Sequence, residues 1–108
     1  MSKPPSSYRF RAPLWAHQGP APWYFLTVPP AVSDEIDEAT QGRQGGWGSV
    51  RVEVCVGATT WQTSLFPSTQ HGGYVLPVKR AVRVAEGLVE GAEVDVRVVT
   101  LDRPAPVD

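Results

Sequence analysis

One nine-residue pattern occurs twice in this chain, and it constrains the fold more than any other feature. Residues 24–32 read YFLTVPPAV, and residues 74–82 read YVLPVKRAV. The tyrosine, the leucine, both valines and the alanine keep their places in the two copies. In each copy the apolar residues first alternate, as in a strand, and then recur at helical spacing. The pattern therefore predicts, twice, a strand that runs into a short helix.

The segments around the two copies also match in their order of elements. Before the first copy, alternating apolar residues at 8–15 predict a half-buried strand, in which Pro13 indicates an edge or a bulge. After it, valines alternate with other residues at 50–56, which is the clearest strand pattern in the chain. A strand at about 60–66 precedes the second copy, and a Val-x-Val-x-Val strand from Val94 follows it. Each half is thus predicted to be strand, strand, helix, strand.

The apolar spacing also predicts which side chains face the core. The inner stripes of the two helices are expected to be Ala31, Val32, Ile36 and Ala39 in the first and Val78, Ala81, Val82 and Ala85 in the second. The residues expected to be buried are Val52, Val54, Leu76, Val82, Val94 and Val96.

Two similar halves suggest how the apolar faces are covered. Each half-sheet has one apolar face that needs a partner, and the most economical partner is the other half. The predicted fold is therefore mainly β with two short helices, in which two strand-strand-helix-strand halves close around a pseudo-two-fold axis into a small barrel. One such domain is expected over residues 8–102, with flexible tails at 1–7 and 103–108, and as a monomer, since no half-barrel is left open. A Greek-key barrel would fit the strand count but predicts neither the second helix nor the repeat.

The composition indicates the cellular location of the protein more than it indicates the function. The chain has 108 residues and a net charge of −1, so there is no overall electrostatic attraction to nucleic acid or membrane. A single cysteine, Cys55, in a strand pattern is typical of a reducing cytosol. The first residues lack the apolar run of a secretory signal, and no stretch approaches the roughly 20 apolar residues of a membrane helix. A cytoplasmic location is expected.

Residues 61–67 (WQTSLFP) and 72–83 (GGYVLPVKRAVR), followed by Gly87 and Gly91 before a valine-rich strand, carry a family resemblance. Over roughly residues 8–101 the chain resembles a family of small bacterial and archaeal proteins known only as a domain of unknown function. That family is similar in fold to the double-split β-barrel, which AbrB- and MazE-type transcription factors build from two swapped chains. The resemblance implies a single-chain version of that barrel and brings no catalytic residues.

Basic residues gather at the start of the second predicted helix. Lys79 and Arg80 fall in its first turn, where the helix dipole disfavours positive charge by about 0.3–1 kcal/mol each. One interpretation is an anion or partner-protein site. The other is a solvated face, or pairing with the acidic first helix. The candidate ligand-binding or partner-binding residues are His71, Tyr74, Lys79, Arg80 and Arg83.

Other candidate sites have weaker patterns. Ser64 and His71 suggest a nucleophile and a base, but neither a nucleophile elbow nor an oxyanion hole accompanies them. The two histidines and Cys55 lack metal-ligand spacing, so no metal or other cofactor is predicted. Trp47, set among glycines, is either a core residue or part of a binding surface.

Three functions therefore remain as hypotheses. The favoured one is a non-catalytic binding module for a small anionic ligand or a protein. The alternative is a DNA-binding regulator of the AbrB/MazE type, against which the net charge of −1 counts. The third is a small hydrolase at Ser64 and His71.

Overall fold

A computed structural model describes residues 7–20, 22–41 and 48–101. In this part of the chain seven strands and two helices follow the predicted order, except that two strands stand in place of the one expected at 8–15. They are β1 (Ser7–Pro13), β2 (Trp15–His17), β3 (Trp23–Thr27), α1 (Pro30–Ala39), β4 (Val50–Val56), β5 (Thr59–Ser68), β6 (Gly73–Pro77), α2 (Arg80–Glu86) and β7 (Glu93–Thr100). The mainly β class with two short helices is confirmed.

The strands form one antiparallel sheet in the order β1-β7-β4-β5-β6-β3-β2. The sheet is an open half-barrel, so the closed barrel expected from the sequence is wrong. Both edge strands come from one segment, in which Leu14 separates β1 from β2. The Leu14 N–H donates to the carbonyl of Ala92 at 2.9 Å, and its carbonyl accepts from Gly91 at 2.7 Å. Leu14 therefore interrupts the strand. The part before it, β1, pairs with β7, and the part after it, β2, pairs with β3. No ladder joins β1 to β2, so the two edges of the sheet stay apart.

The predicted two-fold relation between the halves appears in the strand pairing. Leu26 of β3 lies opposite Leu76 of β6, fifty residues later, so the axis passes through this pair. The Val28 N–H donates to the Tyr74 carbonyl, and the Val78 N–H donates to the Tyr24 carbonyl, both at 2.9 Å. Tyr24 and Tyr74 are each the second residue of their strand. The repeat in the sequence is therefore a repeat in the structure.

The core lies between the curved sheet and the helices, and its strand residues are as predicted. All six residues expected to be buried are at most 3% exposed: Val52, Val54, Leu76, Val82, Val94 and Val96. The helix stripes are partly wrong, because Ala31, Ala81 and Ala85 are exposed. In α1 Ile36 is buried as predicted, and the other buried side chain is Ser33, which the predicted stripe did not include. Each short helix inserts only one or two side chains into the core, and alanine is small enough to be stable on either face.

Some predictions fall where the structure gives no description. Residues 1–6, 42–47 and 102–108 lie outside the described ranges, so the flexible tails and the position of Trp47 stay predictions. Ser7, expected in the first tail, belongs to β1. Among the described residues, no helix has the length and apolar character needed to cross a membrane.

Candidate functional site

The basic residues of the second helix border a cleft of about 170 Å³. Lys79 directly precedes α2 and Arg83 lies on its second turn. The cleft is lined by Pro22, Trp23, Tyr24, Val78, Lys79 and Arg83. Arg80 is exposed and does not line it. Two of the three predicted basic residues therefore share a concave surface with two aromatic side chains.

Arg83 is held in place on two sides. Its guanidinium carbon lies 3.9 Å from the centre of the Tyr24 ring, within the range of a cation–π interaction. Its Nε donates to the carbonyl oxygen of Val78 at 3.3 Å. Among the described residues, no hydrogen bond uses its terminal NH₂ groups. A guanidinium fixed in this way is preorganised to bind an anion, because little side-chain entropy remains to be lost.

The first repeat has a serine where the second repeat has Arg83. Position 33, which corresponds to position 83, is a serine, and its Oγ donates to the carbonyl of Val28 at 3.2 Å. Gly73 contacts Ser33 so closely that a Cβ there would overlap the hydroxyl. At the position corresponding to Gly73 the other repeat has Trp23, which is 62% exposed. The equivalent carbonyl before each helix thus accepts a hydrogen bond from the small neutral Ser33 in the first repeat. In the second repeat it accepts one from the cationic Arg83, which lies beside Trp23.

Tyr74 does not join the basic residues, although the sequence grouped them. It is buried, and its hydroxyl donates to Oδ1 of Asp37 on α1 at 3.2 Å. Its N–H donates to Ser33 Oγ at 3.0 Å. Burial, together with the negative charge of Asp37, raises the pKa of Tyr74 to about 12. Tyr74 therefore links β6 to α1, while its repeat partner Tyr24 lies at the cleft beside α2.

His71 belongs to a row of aromatic rings on the outer face of β2 and β3. It stacks on Trp15 with ring centres 4.6 Å apart, and its Nδ1 lies 2.9 Å from Ser68 Oγ in a hydrogen bond. Trp15 stacks on Phe25 at 5.0 Å, and Phe25 on Trp23 at 6.4 Å. The row ends at the cleft, because Trp23 belongs to both. His71 and the basic residues thus lie along one continuous surface rather than in contact.

Sequence reasoning missed the aromatic part of this surface. Tyr24 is brought to Arg83 by the antiparallel pairing of β3 with β6 across the two-fold axis. The repeat contained a usable signal. If Tyr74 precedes one helix and Tyr24 the other, antiparallel pairing at the axis places each tyrosine beside the helix of the opposite half.

The structure also places the residues of the hydrolase hypothesis. Ser64 lies on β5 and accepts a hydrogen bond from Arg51 Nη1 at 3.4 Å. The ring of His71 is bonded to Ser68, so the hydrogen bonds do not join it to Ser64. Among residues 7–20, 22–41 and 48–101, no three His, Cys, Asp or Glu side chains form a group able to hold a metal ion.

Residues 10–98 match the model of one protein family, described as "Domain of unknown function (DUF1905)". No curated protein matches the chain.

Proposed function

We propose that this chain, which belongs to this family of domains of unknown function, is a non-catalytic binding module for an anionic ligand. The binding site is the cleft between α2 and β3. Lys79 and Arg83 provide positive charge, and Trp23 and Tyr24 provide aromatic walls.

The difference between the two repeats carries this proposal. The bond to the carbonyl before the helix is made by Ser33 in one half and by Arg83 in the other. Since serine suffices for that bond, the structure does not require an arginine there. Local features that exceed what the fold needs are where function is expected.

The chemistry of the cleft limits the ligand. A volume of about 170 Å³ is below the roughly 300–1,000 Å³ of typical small-molecule pockets, so it suits one anionic group and not a whole molecule. The exposed Trp23 beside it offers a flat apolar surface to the next part of the ligand. We therefore expect a carboxylate or phosphate attached to a flat ring.

The test uses small probes of this kind. In nuclear magnetic resonance titrations of the ¹⁵N-labelled protein, benzoate and phenyl phosphate should shift the Trp23 indole and the amides around Lys79 and Arg83. Uncharged benzyl alcohol should shift them much less. Arg83→Ser, which copies the first repeat, should keep the bond to the Val78 carbonyl and the melting temperature. It should weaken binding about tenfold or more, because a charge-assisted hydrogen bond is lost.

Arg80→Gln is the matched control, since it removes the same charge from the same helix without altering the cleft. Equal binding by Arg83→Ser and the unchanged protein would refute the proposal. Unfolding of Arg83→Ser would show that the arginine is structural. Tight binding of random-sequence duplex DNA that weakens steeply with salt would instead favour the DNA-binding alternative.

A further inference from the structure

A second concave surface, far larger than the cleft, lies on the outer face of β1, β7 and β4. Its volume is about 620 Å³, and its lining includes Arg9, Arg97 and Cys55. Arg9 of β1 is directly opposite Arg97 of β7, and Arg97 is directly opposite Cys55 of β4. Two guanidinium groups and a thiol therefore occupy one row across three strands.

Like charges directly opposite each other destabilise an antiparallel pair. The nearest carboxylate, Asp95, is already engaged, because Arg11 donates to both of its oxygens at 2.8 and 3.0 Å. Among the described residues the Arg11–Asp95 pair is the salt bridge that forms, so neither Arg9 nor Arg97 has one there. Asp95 also lines this surface and attracts Arg9, but it forms its salt bridge with Arg11, so it offsets only part of the repulsion between Arg9 and Arg97.

Two other carboxylates, those of Glu53 and Glu86, lie near this surface without lining it. Glu53 lies one row away, opposite Val99 and Gln62. Glu86 packs over Gly57 from α2, where its Oε2 accepts a hydrogen bond from Thr59 at 2.6 Å, and it does not line the surface. The strands fix the two arginines at ladder spacing, and Arg97 Nε is further held by Ser7 Oγ at 3.2 Å.

We propose that Arg9 and Arg97 together bind a phosphate group. A phosphate offers several oxygens to planar guanidinium groups, each able to donate two parallel hydrogen bonds, and its charge removes the repulsion between them. The volume of about 620 Å³ falls within the range of small-molecule pockets, so the phosphate is that of a small ester or free inorganic phosphate. This site is formed by β1, β7 and β4 and shares no lining residue with the Arg83 cleft, so it does not depend on that cleft.

The test is calorimetric titration of the full chain with inorganic phosphate and, separately, with glycerol phosphate, with chloride at equal ionic strength as the blank. Tighter binding of glycerol phosphate identifies an ester as the ligand, and tighter binding of inorganic phosphate identifies the free ion. Arg9→Gln and Arg97→Gln should each weaken binding about 10- to 100-fold. Arg80→Gln, of equal charge change on α2, should bind as the unchanged protein does.

Two further readouts separate binding from structure. Phosphate should raise the unfolding midpoint of the unchanged protein, and Arg9→Gln should lose most of that added stabilisation. Phosphate should also slow alkylation of Cys55, the one cysteine of the chain. If a Gln variant fails to fold, Arg9→Lys and Arg97→Lys keep the charge but not the bidentate geometry and should bind more weakly. Unchanged binding in the folded Arg9 and Arg97 variants, or an equal loss in Arg80→Gln, would overturn the proposal.

Discussion

Replacing Ser33 by alanine should lower the free energy of unfolding by much more than removing an exposed serine hydroxyl would. Ser33 is 2% exposed, and its Oγ joins three elements. It accepts from the Tyr74 N–H of β6 at 3.0 Å and donates to the Val28 carbonyl after β3 at 3.2 Å. The substitution removes both bonds at once from a buried junction.

The magnitude follows from two opposing terms. Taking a partner away from a buried polar group costs about 1–3 kcal/mol. Alanine is a better helix former than serine by about 0.5 kcal/mol, which offsets part of this. Two buried groups lose a partner here, so the net loss in the free energy of unfolding should be about 1.5–5.5 kcal/mol. Each kcal/mol lost should lower the melting temperature by about 4–8 °C.

Urea unfolding followed by circular dichroism measures this loss. The matched control is Asp34→Ala, an exposed neighbour on the same helix, which should stay within about 0.5 kcal/mol of the unchanged protein. If Ser33→Ala and Asp34→Ala proved equally stable, the reasoning would be refuted. The contacts of Ile36 would then hold α1 to the sheet without help from Ser33.

Two other predictions concern the core and Tyr74. Val54 is 0% exposed on a central strand, so Val54→Ala should cost about 1–3 kcal/mol in urea unfolding, and a loss below about 0.5 kcal/mol would mean that packing at this strand is loose. Because the pKa of Tyr74 is raised from 10.0 to about 12 by folding, the unfolded chain ionises first as the pH rises. The stability that the neutral phenol contributes should be complete below pH 10 and be lost towards pH 12. Tyr74→Phe should reduce this alkaline loss in a series of unfolding midpoints, and an identical pH profile for the variant would contradict the assignment.

The sequence predicted features that depend on regular spacing. The alternating valines fixed β4 and β7 and their buried faces, since one face of a strand must be apolar throughout. The repeat likewise placed Tyr24 and Tyr74 at equivalent positions. The inner faces of the helices were harder, because Ala81 and Ala85 lie at helical spacing from Val78 without enough apolar area to decide their orientation.

What the sequence could not predict depends on pairing between distant segments. The break at Leu14, which leaves the sheet open, comes from hydrogen bonds to the loop before β7. The cleft needed Arg83 to meet Tyr24, some sixty positions earlier in the chain, through the β3–β6 ladder. We predicted one binding site from His71, Tyr74 and the basic residues because they lie close together along the chain. The structure divides it among the aromatic row, the α1 junction and the cleft.

The segment that supplies both edges of the sheet has a consequence for the nascent chain. Among the described strands, β1 pairs with β7 alone, so Ser7 lies opposite Val99, roughly ninety positions later in the chain. While the ribosome is still adding residues 93–100, β1 has no strand to pair with, even though β3 and β2 are already able to form a ladder. Although β1 precedes the other strands of this domain in the chain, it is therefore among the last to be paired, and slower translation cannot let this fold form half by half.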